Sequence, residues 1–79
     1  IYREKAEYES AIREFSQAVI LNPYIEEIYV ERGYTYLNMN RVDSAIEDFE
    51  KAITLNPHTE VLNLYKKILS DIQHISFNN

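Results

Sequence analysis

The amino-acid sequence predicts an all-α chain of about four antiparallel helices, arranged as helical hairpins in a short solenoid fragment. Three observations predict it. Apolar residues recur at helical spacing in several windows. The chain repeats itself after 34 residues. Its only two prolines, Pro23 and Pro57, each follow an asparagine and sit one repeat apart.

The repeat fixes the register. Ser10, Ala11, Ile12, Phe15, Ala18, Leu21, Asn22, Pro23 and Glu26 all recur 34 positions on, from Ser44 to Glu60. Tyr2 meets Tyr36 in the same register, and Val19 meets Ile53 as a conservative pair. Identity this dense over so short a stretch excludes coincidence at ordinary residue frequencies.

Each element then follows from its own pattern. Residues 7–21 place Tyr8, Ala11, Ile12, Phe15, Ala18 and Val19 on one side of a helix, with Glu9, Arg13, Glu14 and Gln17 opposite. Residues 25–38 form a second helix with Ile25, Ile28, Tyr29, Tyr36 and Leu37 on its apolar side. Residues 42–55 form a third, with Val42, Ala45, Ile46, Phe49, Ala52 and Ile53. Residues 60–75 form a fourth along Val61, Tyr65, Ile68, Ile72 and Ile75. A residue before proline is pushed out of the helical region, so the first and third helices stop at Leu21 and Leu55, and the next can start just after the proline. Asn38, Met39 and Asn40 make the remaining turn, because asparagine tolerates a left-handed backbone. Gly33, Ala45 and Ala52 are the close-approach positions, beside which Tyr29 and Phe49 fill space.

Composition narrows the function. Seventy-nine residues make one small domain. No cysteine is present, so no disulfide or thiolate metal site is expected, and a reducing, cytoplasmic location is. The net charge of −5 disfavours nucleic acid and anionic membrane surfaces as partners, since both select for Lys and Arg. No apolar run reaches the length of a membrane span. The chain opens on Ile1 rather than methionine, so a piece of a longer protein is expected.

Candidates for chemistry are few. His58 and His74 stand far apart without ligand-spaced partners and read as surface histidines. Asp43, Glu47, Asp48 and Glu50 share one helix, and they read as a solvated face. Helix-supporting pairs are expected from Glu47 to Lys51 and from Glu9 to Arg13. Phosphate loops, nucleophile elbows and zinc-helix motifs are absent from the sequence. No enzyme activity, metal or cofactor is expected.

The pattern Tyr29-x-x-Arg32-Gly33-x-x-Tyr36, then Ala45-x-x-x-Phe49, then Ala52 and Pro57, resembles the tetratricopeptide repeat. Tyr29 stands where the family pattern has Trp, and Arg32 where it has Leu. The resemblance divides the chain into a partial repeat (1–25), a complete repeat (26–59), a capping helix (60–75) and a frayed tail (76–79). It implies a non-enzymatic scaffold that binds a protein or peptide segment on its concave face. The family's groove positions fall on Glu27, Val30, Tyr34, Leu37 and Asn38, and the last helix adds Val61, Leu64 and Ile68. Family members that clamp a C-terminal carboxylate use Lys and Asn where this chain has Val30 and Tyr34, so that clamp is missing from the complete unit. Two alternatives stay open: a self-association module, and a regulatory segment of a larger enzyme. The first helix lacks most of its hairpin partner, so Ile12, Phe15 and Val19 are expected to be covered by upstream residues, a bound segment or a second copy. With Ala6 where the family turns on glycine, residues 3–21 can run as one helix, and a homo-oligomer through that helix is the expected closure.

Overall fold

The computed structural model describes residues 5–77, and side chains for residues 5–73. It contains α1 (Lys5–Leu21), α2 (Glu26–Asn38), α3 (Val42–Leu55) and α4 (Leu62–Phe77), with no strand among the described residues. Each helix packs on the next in chain order, α2 against α3 most extensively. The all-α hairpin architecture is therefore the one the repeat predicts. Tyr2 and Arg3 lie outside the described residues, but α1 does run unbroken through Ala6.

Turn chemistry sets the boundaries. At both prolines the preceding asparagine makes the same turn: Asn22 Oδ1 accepts the Tyr24 N–H at 3.1 Å, and Asn56 Oδ1 accepts the His58 N–H at 3.0 Å. The following helices start later than the prolines alone imply, at Glu26 and Leu62. The intervening residues are used instead as spacers and plugs. Ile25 is extended, with φ −101° and ψ 106°. Thr59 and Val61 are buried, and the Thr59 hydroxyl donates to the Glu26 carboxylate. Asn56 Nδ2 also donates to Glu26 Oε1, at 2.8 Å, so one carboxylate at the start of α2 anchors the α3–α4 turn. At the other end α4 continues past residue 75 to Phe77, and residues 78–79 are outside the described set.

Between α2 and α3, Asn40 takes the left-handed conformation with φ 61°. The Arg41 N–H then reaches Tyr36 O at 2.8 Å and the Asn40 N–H reaches Leu37 O at 3.0 Å, which satisfies two carbonyls of the helix end. This reversal is what folds α3 back onto α2.

The core sits between them. Phe49, Ala45, Ala52 and Val61 are fully buried, joined by Tyr29 and Val30. Burying a side chain the size of Phe49 stabilises by about 1.5–3 kcal/mol. Gly33 faces the Phe49 ring so closely that a Cβ there would lie 2.5 Å from Cε1. Val19, Tyr36, Leu37, Leu55, Leu64, Tyr65 and Ile68 pack around this centre, half-buried. Ile12 and Phe15 on α1 are half-buried as well.

Charged side chains depart from the sequence reading in three places. Asp48 is not on a solvated face but buried, because Arg32 of α2 reaches it with two hydrogen bonds. Glu50, though exposed, accepts the Tyr65 hydroxyl at 2.8 Å across the α3–α4 contact. Glu9 does not pair with Arg13. It meets Arg41 at 3.1 Å, from the α2–α3 turn, while Arg13 donates to Ser10. Tertiary contacts that join successive helices outcompete the local helix pairs.

Candidate protein-binding face

The side of α2 turned away from the core is one continuous stripe. Glu27, Glu31, Tyr34 and Asn38 are all exposed, at the i, i+4, i+7, i+11 spacing that keeps residues on one helix face. Opposite them Tyr29 and Gly33 enter the core, where Gly33 lies close against the Phe49 ring. Tyr34 is 40% exposed, and its ring stands edge-on to Phe49 with centroids 5.6 Å apart and planes at 70°. That contact holds the ring in place while part of it stays in solvent, a preorganised aromatic with a polar tip.

The side chains around the stripe are spoken for. Tyr29 donates its hydroxyl to Pro23 O at 2.9 Å, which ties α2 to the preceding turn. Thr35 is buried and donates to Glu31 O at 2.9 Å. Arg32 is the only basic residue of α2, and its guanidinium is turned inward: Nε to Asp48 Oδ2 at 2.8 Å, Nη2 to Oδ1 at 2.7 Å, Nη1 to Ser16 Oγ at 3.1 Å. Asp48 holds that guanidinium above its ordinary pKa, chiefly through the hydrogen bond. The exposed face of α2 consequently presents two carboxylates and no cation.

The residues assigned to a groove divide in two. Glu27, Tyr34 and Asn38 lie on the exposed stripe. Val30, 5% exposed, and Val61, fully buried, belong to the core and offer no surface to a partner. Leu37, Leu64 and Ile68 are half-buried packing residues against that core. Glu31 was missed, because its position in the repeat pattern marks no groove site, although the four-residue step from Glu27 does place it there. On α4 the polar residues Lys66, Lys67, Ser70, Asp71 and Gln73 are exposed. His58 is exposed in its turn. The side chains of His74 and Ile75 lie outside the described residues.

Two open depressions lie elsewhere, one of about 480 Å³ along Ala6, Glu7, Ser10, Ala11 and Glu14, the other of about 390 Å³ over Asn40 to Ser44. Among the described residues no cluster of His, Cys, Asp or Glu could hold a metal ion, and no helix is long and apolar enough to cross a membrane.

Helices paired by short turns, repeated in sequence and stacked in order around shared small residues, define a helical-hairpin repeat protein. Residues 26–59, α2 and α3 with their following turn, match the family model for the tetratricopeptide repeat, and the four helices are consistent with such a repeat. No curated protein and no solved structure matches the chain. A tetratricopeptide repeat is a protein–protein interaction module, from a family that is generally non-enzymatic.

Proposed function

We propose that this chain holds a segment of another protein against the exposed stripe of α2, the helix that lines the concave face in tetratricopeptide arrays. The observation that carries the reading is the half-exposed Tyr34, braced edge-on by buried Phe49 between Glu31 and Asn38. Aromatic rings on rigid supports are favoured interface anchors because little conformational entropy is lost when they are covered. Glu27 and Glu31 add acceptors, and Asn38 can both donate and accept. The face recognises and positions a segment. It performs no bond chemistry.

The test is selection of peptides from a displayed library on the intact chain, followed by affinity measurements on Tyr34→Ala and Asn38→Ala. Either truncation should weaken binding by about 1 kcal/mol or more while circular dichroism stays unchanged. Leu37→Ala is a poor probe, since Leu37 also packs on the core. Undiminished affinity in both variants would move the contact off α2.

A further inference from the structure

The two copies of the repeat share a scaffold but not a surface. At the α1–α2 turn Ile20 is 79% exposed and Tyr24 is 76% exposed. Their counterparts 34 residues on are Thr54 and His58, both exposed at the α3–α4 turn. The fold therefore accepts polar residues at these places, and the apolar pair is no requirement of packing. Leu21 between them is exposed too, but its counterpart Leu55 packs on the core. Leu21 thus holds a position that packs in the other copy of the repeat, whereas Ile20 and Tyr24 hold positions that face solvent in both. Large apolar side chains exposed together at one turn mark a contact surface.

Charge states what fits it. The last turn of α1 contains no basic residue, so the partial negative charge of its C-terminal end is not offset there. Tyr24 is followed within three residues by Glu26 and Glu27 in the first turn of α2. Three residues of chain span at most about 11 Å, so Glu27 lies near Tyr24. From Gln17 to Asn40 the one cation is Arg32, already committed to Asp48. The surface is apolar at its centre and negative at its rim.

We propose that the α1–α2 turn is a second docking site, centred on Ile20 and Tyr24 and sharing only Glu27 with the α2 stripe, for an amphipathic segment of another protein. That segment sets apolar side chains on Ile20 and Tyr24 and lysine or arginine beside Glu27 and the end of α1.

The experiment uses the whole chain and two synthetic helical peptides of one amphipathic pattern, leucine with lysine and leucine with glutamate. Binding is followed by fluorescence anisotropy for wild type, Ile20→Thr/Tyr24→His, Glu27→Lys and Tyr34→Ala. The double variant borrows the residues that the second turn already carries, so its fold is retained, and circular dichroism checks this. The lysine peptide should bind wild type, weaken by about tenfold or more in the double variant and in Glu27→Lys, and be unaffected by Tyr34→Ala. Binding should also fall with added salt. Failure of wild type to bind the lysine peptide overturns the proposal, as does equal binding of the glutamate peptide. So does a double variant within about twofold of wild type. Loss in Tyr34→Ala alone would place the peptide on the α2 stripe instead. Concentration-dependent association of wild type, abolished in the double variant, would make the occupant a second copy and overturn the proposal equally.

Discussion

Arg32 on α2 grips Asp48 on α3 through both carboxylate oxygens, at 2.8 and 2.7 Å, and touches Ser16 on α1 with its remaining arm. Three consecutive helices are thereby joined by one side chain, which is half-buried against a buried Asp48. Removing one partner strands the other, so Asp48→Ala should cost about 3 kcal/mol, the low end for buried pairs because Arg32 keeps some access to water. Arg32→Lys should also destabilise, since an ammonium cannot make the two-pronged contact. Arg32→Met/Asp48→Leu should lose less than Asp48→Ala. Urea midpoints decide it; a double variant worse than the single would mean the pair itself carries the stability. In alkali the linkage is simple. The pKa of Arg32 is raised in the fold, so its contribution is complete below the ordinary arginine value and disappears only above the raised one.

Gly33 and Phe49 set the spacing of the central hairpin. Alanine at position 33 would gain about 1 kcal/mol of helix propensity. Its Cβ would also meet the buried Phe49 ring at 2.5 Å from Cε1 and 2.8 Å from Cδ1. With Phe49 fully buried, the ring has nowhere to retreat without moving neighbours, and overpacking of this kind costs about 1–3 kcal/mol. Gly33→Ala should therefore lower the denaturant midpoint, as should Ala45→Leu and Ala52→Leu at positions with no exposed surface. Glu47→Gln is the silent control, being exposed, whereas Glu50 is unsuitable because it bonds Tyr65. A more stable Gly33→Ala would show that the ring can yield.

The same contrast explains what could be read from the sequence. Ala45, Phe49 and Ala52 were legible because packing recurs with the repeat, Gly33 because a glycine inside a helix needs a packing reason, and the left-handed Asn40 because asparagine has a local reason to be there. Asp48 was not. Its neighbours are acidic and its counterpart Glu14 is exposed, so only the arrival of Arg32 from another helix makes it interior. Val30 and Val61 fell on groove positions of the repeat pattern, yet both side chains are drawn into the core around Phe49. The α2 stripe was half legible: helical spacing gives the face, but which of its members stay in water depends on how α1 and α3 pack against α2.

Tyr65 gives a titration that tracks the α3–α4 contact. Its hydroxyl donates to Glu50, and this hydrogen bond is the main cause that raises its pKa, with desolvation and the carboxylate's charge adding to it. A raised pKa means a contribution that is whole below the ordinary tyrosine value and lost as pH climbs through the raised value. Ring resonances or ultraviolet absorbance should show Tyr65 ionising above the ordinary tyrosine range. Glu50→Ala should bring Tyr65 back toward the ordinary tyrosine range. An unchanged titration in that variant would mean the α3–α4 hydrogen bond does not persist in solution.

Leu21 and Leu55 provide the most direct test of what covers α1. They occupy one position in the two copies of the repeat, but Leu55 packs beside the core while Leu21 is 87% exposed. For an isolated chain, Leu55→Ala should cost about 2 kcal/mol, near the lower limit for truncating a packed leucine. Leu21→Ala should stay within about 0.5 kcal/mol of wild type, as surface changes do. The comparison is independent of any ligand, and it separates two states that a single melting curve would merge. If a second copy covers α1, Leu21 is buried in the associated form. Its truncation then costs stability only at protein concentrations where association occurs, because binding of the folded state shifts apparent stability by mass action. Unfolding curves across a hundredfold range of protein concentration, with sedimentation alongside, therefore distinguish a lone chain from a pair. Leu21→Ala as damaging as Leu55→Ala at every concentration would contradict the exposure of Leu21 itself, and with it the packing of α1 described above.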